Sequence, residues 1–307
     1  MSTLFTFPGQ GAQRPGMLHA LPDHAETART LHEASEALGR DVAGLDSETA
    51  LRSTVAVQLC LLVAGVAMAR VLAAHDAKPR MVAGLSIGAW PAAVTAGVLG
   101  FGDAVRLVAL RGRLMEDAYP SGFGMTAIGG LTRQQLAPLV AQVHAAALPV
   151  YLANLNGPRQ IVIAGSDSAM QAVAGLALAH GAQRAERLAV AVPSHCALLD
   201  EQARTLASAM DQVALARPRI AWISSSQARV LFDGRRIGAD LAANMAQPVL
   251  WADTVRHAWE RGARLALEMP SGSVLTRLTA LAFPDGLALS CEGAHLDSLV
   301  LAVRAQP

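Results

Sequence analysis

Hydrophobic residues fall into two textures along this chain: short apolar runs that stop at glycine or proline, and longer stretches in which apolar positions return every three or four residues. The first texture belongs to buried strands and the second to helices with one apolar face. Thr3 to Phe7 then predicts a first strand, ended by Pro8-Gly9-Gln10-Gly11, and helical patterns follow at Asp23 to Leu38 and Leu59 to Ala74. A strand from Met81 to Leu85 leads into a helix from Ala89 to Val98, and another helix covers Asp103 to Ala118. Strands separated by helices predict an α/β fold with a parallel sheet, whose sites gather at the carboxyl ends of the strands. The Gln10 turn and Ser86 both fall at such ends. The most hydrophobic stretch, Val55 to Val71, is interrupted by Gln58 and Arg70. It falls short of the roughly 20 uninterrupted apolar residues of a membrane span and reads as a buried helix.

From Gly122 to Val190 the pattern changes to strand Met125–Ile128, helix Thr132–Ala145, strands Val150–Leu155 and Gln160–Ala164, helix Ser168–His180 and strand Ala185–Val190. This is the β-α-β-β-α-β order of a ferredoxin-like unit. Asn156-Gly157-Pro158 supplies the turn between its middle strands, and Gly181 stands where a helix C-cap is expected. The expected organisation is a large α/β domain formed by residues 1–121 and 191–307, with residues 122–190 inserted as a small domain.

Charge and cysteine content remove several function classes. With 25 basic and 24 acidic residues and only 4% aromatics, the chain offers no electrostatic footprint or stacking platform for nucleic acid. Cys60, Cys196 and Cys291 are far apart and form no CxxC or Cys/His cluster, against structural zinc and a disulfide framework. The N-terminus lacks the basic and long apolar regions of a signal peptide, and a reducing cytoplasm is the expected setting. No glycine pattern of a nucleotide or dinucleotide site is present.

The chemistry centres on Gly84-Leu85-Ser86-Ile87-Gly88, a G-x-S-x-G pentapeptide between a strand and a helix. That is the setting of a nucleophile elbow, in which a strained turn lifts the serine hydroxyl clear of the sheet. A base is needed, and of nine histidines His195, in Val192-Pro193-Ser194-His195-Cys196, lies where the small domain returns to the large one. Arg111 falls inside the apolar stripe Ala104, Leu107, Val108 and Met115, away from a surface pair expected between Arg113 and Asp117. An unpaired guanidinium there would be costly, so an anion should meet it, either a protein carboxylate or a substrate carboxylate held bidentately. The backbone amides of Gln10 and Ile87 are candidates for an oxyanion hole. An esterase would use the same serine with a late acid and histidine, Asp285 and His295. A noncatalytic acyl-binding subunit with a vestigial elbow is the rival from another class.

Read in order, Phe7-Pro8-Gly9-Gln10-Gly11-Ala12-Gln13, the elbow, Leu110-Arg111-Gly112-Arg113-Leu114-Met115, Asn154 with Gln160-Ile161-Val162-Ile163-Ala164-Gly165, and Val192 to Leu198 resemble the malonyl-CoA:acyl-carrier-protein transacylases over nearly the whole chain. The resemblance implies an α/β-hydrolase-like large domain with a ferredoxin-like insertion. It makes Ser86 the acylated nucleophile, His195 its base, Arg111 the clamp on the malonyl carboxylate, and Gln10 and Ile87 the oxyanion hole. Malonyl-CoA is the implied donor and the prosthetic thiol of an acyl-carrier protein the acceptor, with no metal, cofactor, nucleic acid or membrane required. Departures are visible. The family's usual G-H-S-L-G-E has Leu85 and Ala89 here, its glutamine-led segment reads Asn244-Met245-Ala246-Gln247-Pro248-Val249-Leu250-Trp251, and its Gly-Pro-Gly reads Met269-Pro270-Ser271-Gly272. A backbone carbonyl can come from any residue, so Asn244 inherits the task of orienting His195. The elbow is similar to that of the malonyltransferase (epsilon) subunit of malonate decarboxylase, which would make the decarboxylase carrier subunit the partner.

Overall fold

Strand β1 (Ser2–Phe7) is the hub of a computed structural model that describes residues 2–306. Helices α1 (Ala25–Leu38) and α2 (Thr54–Ala74) follow it, then β2 (Met81–Gly84), α3 (Ala89–Thr95) and α4 (Phe101–Ala118). The chain next builds β3 (Phe123–Gly129), α5 (Arg133–Val143), β4 (Val150–Gly157), β5 (Gln160–Ser166), α6 (Asp167–Ala179) and β6 (Arg184–Arg187). It returns through α7 (Asp200–Met210), β7 (Ala221–Ser224), β8 (Arg229–Leu231), α8 (Gly234–Ala243), α9 (Trp251–Glu260), β9 (Ala263–Glu268), α10 (Val274–Ala280), β10 (Leu287–Ser290) and α11 (Leu296–Arg304).

Two sheets result. The larger has the order β10-β9-β1-β2-β7-β8, with every pair parallel except β7 with β8. The fully parallel sheet expected from sequence is therefore mixed. The reason is local: only the short turn Ser225–Ala228 separates β7 from β8, too little chain for a parallel crossover, so β8 folds back as a hairpin. Helix α2 is long and apolar enough to cross a membrane by length and composition, but 89% of its apolar window is buried inside the protein. It packs on α1, α3 and α4 as the centre of the largest core, and Gln58 is buried with it.

The smaller sheet, order β4-β5-β3-β6, is antiparallel throughout. Alternation along its strands divides its residues between two faces. Ile128, Ile161 and Ile163 pack under α5 and α6, while Met125, Val162 and Ala164 form a second cluster with Val190 and Cys196. Thr132 and Gln135 close a capping box at the start of α5. The sheet docks on the rest of the protein through Leu155 N–H to Val249 O at 2.7 Å and Val249 N–H to Ala153 O at 2.9 Å.

Some expected boundaries move. The last strand of this unit stops at Arg187 rather than Val190, and the helix expected from Ala197 begins with a 3-10 turn before α7. On α4 Arg106 pairs with Asp103 at 2.7 Å, whereas Arg113 and Asp117 form no ion pair among the described residues. Cys60, Cys196 and Cys291 are all free thiols.

Candidate active site

The turn after β2 is held by close backbone packing. Leu85 N–H bonds Phe7 O at 3.0 Å, Ser86 takes φ 56°, and residues 86–88 run as a 3-10 turn into α3. A Cβ on Gly84 would lie 1.9 Å from the Gly88 carbonyl carbon, and one on Gly88 would lie 2.0 Å from Phe7 O. Both elbow glycines are therefore required by space. The left-handed backbone at Ser86 costs about 1–3 kcal/mol, maintained by the surrounding packing.

His195 has a left-handed backbone as well, φ 65°, and its N–H is fixed on Met245 O at 2.7 Å. Its Nδ1 faces two carbonyl oxygens, Asn244 O at 2.8 Å and Gln247 O at 3.1 Å. Carbonyls only accept, so Nδ1 carries the proton and Nε2 is left to accept from the Ser86 hydroxyl, 2.8 Å away. Burial and the nearby Arg111 charge pull the imidazole pKa down to about 4, against the opposing pull of the two carbonyls. The ring is neutral at physiological pH, with Nε2 unprotonated and facing the Ser86 hydroxyl. Asn244 faces the imidazole through its backbone carbonyl. Gln247 was not expected; a residue working through its carbonyl leaves no side-chain signature, and only its position beside Pro248 in the Asn244–Trp251 segment could have pointed to it.

Arg111 is completely buried. Its Nη2 lies 3.3 Å from Ser86 Oγ, while Nε and Nη1 have no hydrogen-bond partner. Burial lowers its pKa to about 9. No protein carboxylate meets it among the described residues, so of the two partners left open by sequence the internal ion pair is absent.

Above these groups lies a cavity of about 390 Å³ between the two sheets. Pro8 to Gln10, Ser86 and Ile87 form one side; Met125, Val162 and Val190 form the other. The Gln10 N–H takes no protein acceptor among the described residues, and Gln10 and Ile87 flank the nucleophile on the same wall. Gln58 also lines the cavity, with a buried Oε1 lacking a partner, and was missed because its spacing within an apolar helix reads as core. A larger hollow, about 620 Å³, opens at the amino ends of the strands around Thr3, Arg80 and Ala221, away from all of this chemistry. Asp285 and His295 are both exposed, and it is His195 that holds Ser86. No grouping of His, Cys, Asp and Glu among the described residues has metal-site geometry.

A serine at a strained turn, a neutral imidazole on its hydroxyl and an unpaired buried cation beside it suit transfer of an acidic acyl group through a serine ester. The chain belongs to the acyl transferase family, whose domain model matches residues 4–290. It is 38% identical over 291 residues to the malonyl CoA-acyl carrier protein transacylase of Haemophilus influenzae, covering 92% of this chain and 93% of that one. The crystal structure of FabD from Acinetobacter baumannii is similar at TM-score 0.94 and 35% identity, covering 100% of this chain and 99% of that one. A malonyl-transacylase in complex with its type II PKS acyl-carrier protein matches at TM-score 0.92 and 35% identity, with both chains covered over 100%.

Proposed function

We propose that this protein is a malonyl-CoA:acyl-carrier-protein S-malonyltransferase working through a malonyl ester of Ser86. The observation that carries the choice of malonyl is Arg111, a fully buried guanidinium whose Nη2 lies 3.3 Å from the Ser86 hydroxyl while Nε and Nη1 have no partner. A carboxylate on the acyl group accepts charge-assisted bonds from one edge of this guanidinium, filling a donor that no protein atom takes. Ser86 Oγ attacks the thioester carbon as its proton passes to His195 Nε2, and the developing oxyanion is met by the Gln10 and Ile87 amides. The C–S bond then breaks, and the coenzyme A sulfur leaves with the proton returned by His195. A carrier thiol repeats the sequence in reverse, giving ping-pong kinetics.

Within this reading the large sheet and its helices form an α/β-hydrolase-like catalytic domain from residues 1–121 and 191–307, acting in the cytoplasm. Residues 122–190 form a ferredoxin-like insert, supported by the order β4-β5-β3-β6. The transacylase relatives support an acyl-carrier protein as acceptor. Leu85 and Ala89 at the elbow favour a second reading of that acceptor, the carrier subunit of malonate decarboxylase. At equal carrier concentrations, a higher kcat/KM for the decarboxylase carrier supports the second reading, and a clear preference for a fatty-acid carrier removes it. The transferase itself is tested by intact mass: malonyl-CoA should add one malonyl group, Ser86→Ala should abolish the adduct, and an adduct on another residue would overturn the assignment.

A further inference from the structure

The segment from Leu188 to Pro193 links the last strand of the small sheet to His195 and has no regular secondary structure. Leu188 and Val190 line the cavity, yet backbone pairing beyond Arg187 is sparse: Leu188 N–H reaches Met125 O at 2.9 Å. What holds the carbonyls of this wall is one guanidinium. Arg187 Nη1 donates to Met125 O at 3.1 Å, Leu188 O at 3.0 Å and Val190 O at 3.0 Å. Nη2 donates to Phe123 O at 2.7 Å and to Asp167 Oδ1 at 2.9 Å. Phe123 and Met125 lie where the chain enters the small sheet, Leu188 and Val190 where it leaves. The fork therefore ties both crossings together, using the planar array of donors that only arginine has. Gly124 makes the space, since a Cβ there would sit 2.1 Å from Arg187 Nη2.

We propose that Arg187 is a positioning residue that sets the wall of the acyl cavity and thereby how tightly the site holds its acyl thioester, an inference that rests on the transferase reading above. The wall is separable from the reacting pair, because His195 has its own anchors on Met245, Asn244 and Gln247. Releasing the clasp loosens Met125, Leu188 and Val190 around the substrate and leaves the Ser86–His195 contact in place. The effect belongs to binding shared by ground and transition states, which appears in KM and leaves kcat unchanged.

The test compares Arg187→Ala, Arg187→Lys and Gly124→Ala in steady-state malonyl transfer, with amide hydrogen exchange on the same proteins. Arg187→Ala should raise KM for malonyl-CoA about tenfold with kcat within about twofold of wild type, and lysine should recover part of the loss. Gly124→Ala keeps the arginine but displaces its guanidinium and strains the backbone at φ 157°, so it should raise KM at least as much as Arg187→Ala. Amides at 188–192 should exchange at least about tenfold faster in Arg187→Ala, whatever the activity. Unchanged exchange at 188–192, or a fall in kcat at constant KM, would overturn the proposal, the latter being the mark of a smaller folded fraction. A wild-type protein that forms no malonyl adduct defeats the transferase reading instead, and the exchange arm still decides whether Arg187 holds the wall.

Discussion

Arg111 carries its charge into a site with no counter-ion among the described residues, and that cost is recovered when an anion arrives. Removing the guanidinium leaves a substrate carboxylate desolvated and unpaired, an expected loss of roughly 2–5 kcal/mol for malonyl-CoA. Acetyl-CoA has no carboxylate and should lose little or improve. Arg111→Ala should therefore lower the malonyl-to-acetyl ratio of kcat/KM by about 30-fold or more at 1.4 kcal/mol per tenfold. Equal slowing of both substrates would show that Arg111 serves structure instead. His195 leads to a pH expectation at the same scale. In its proposed role as base His195 works only when neutral, and burial has moved its pKa from 6.5 to about 4. The acid limb of the acylation rate should then lie near pH 4; a limb between pH 6 and 7 in a stopped-flow pH profile would contradict the buried neutral imidazole.

At the scale of elements, the elbow is a packing device before it is a catalytic one. Gly88→Ala places a methyl against the Phe7 carbonyl, a rigid neighbour in the centre of the sheet. The expected result is destabilisation of at least the roughly 1–3 kcal/mol typical of overpacking, read as a lower thermal midpoint, together with loss of Ser86 acylation. Much of this architecture was legible in the sequence, because apolar runs bounded by glycine or proline mark strands and their ends directly. Ser86, His195 and Arg111 were legible for a related reason: each breaks a local pattern, as a serine between turn glycines, a histidine at a junction and a charge in an apolar stripe. The misreadings have a common cause in tertiary context. Val190 has the composition of a strand residue, but Arg187 takes up the carbonyls that would have continued the ladder. The antiparallel β8 depends on the length of one turn, and Gln247 contributes a carbonyl that every residue possesses.

For the molecule as a whole, the site lies where two separately built sheets close over one another, and this enclosure links catalysis to stability. His195 is buried in the folded protein with a pKa near 4, whereas in the unfolded chain the same ring titrates near 6.5. Between these values the unfolded state binds a proton that the folded state refuses, so stability falls as pH drops from about 6.5 toward 4. The slope for one such group approaches 1.4 kcal/mol per pH unit, about 3 kcal/mol over the whole interval. Burial and the neighbouring Arg261 lower the pKa of His257 as well, so a single acid denaturation curve does not isolate the effect. The difference between wild type and His195→Gln does, since glutamine keeps a polar side chain and removes the titration. Urea unfolding at pH 7.5 and pH 5 should show wild type losing about 2 kcal/mol more than the variant over that step. Equal losses would mean that His195 is already protonated in the folded protein at pH 5, and the two carbonyls at Nδ1 would then be holding an imidazolium.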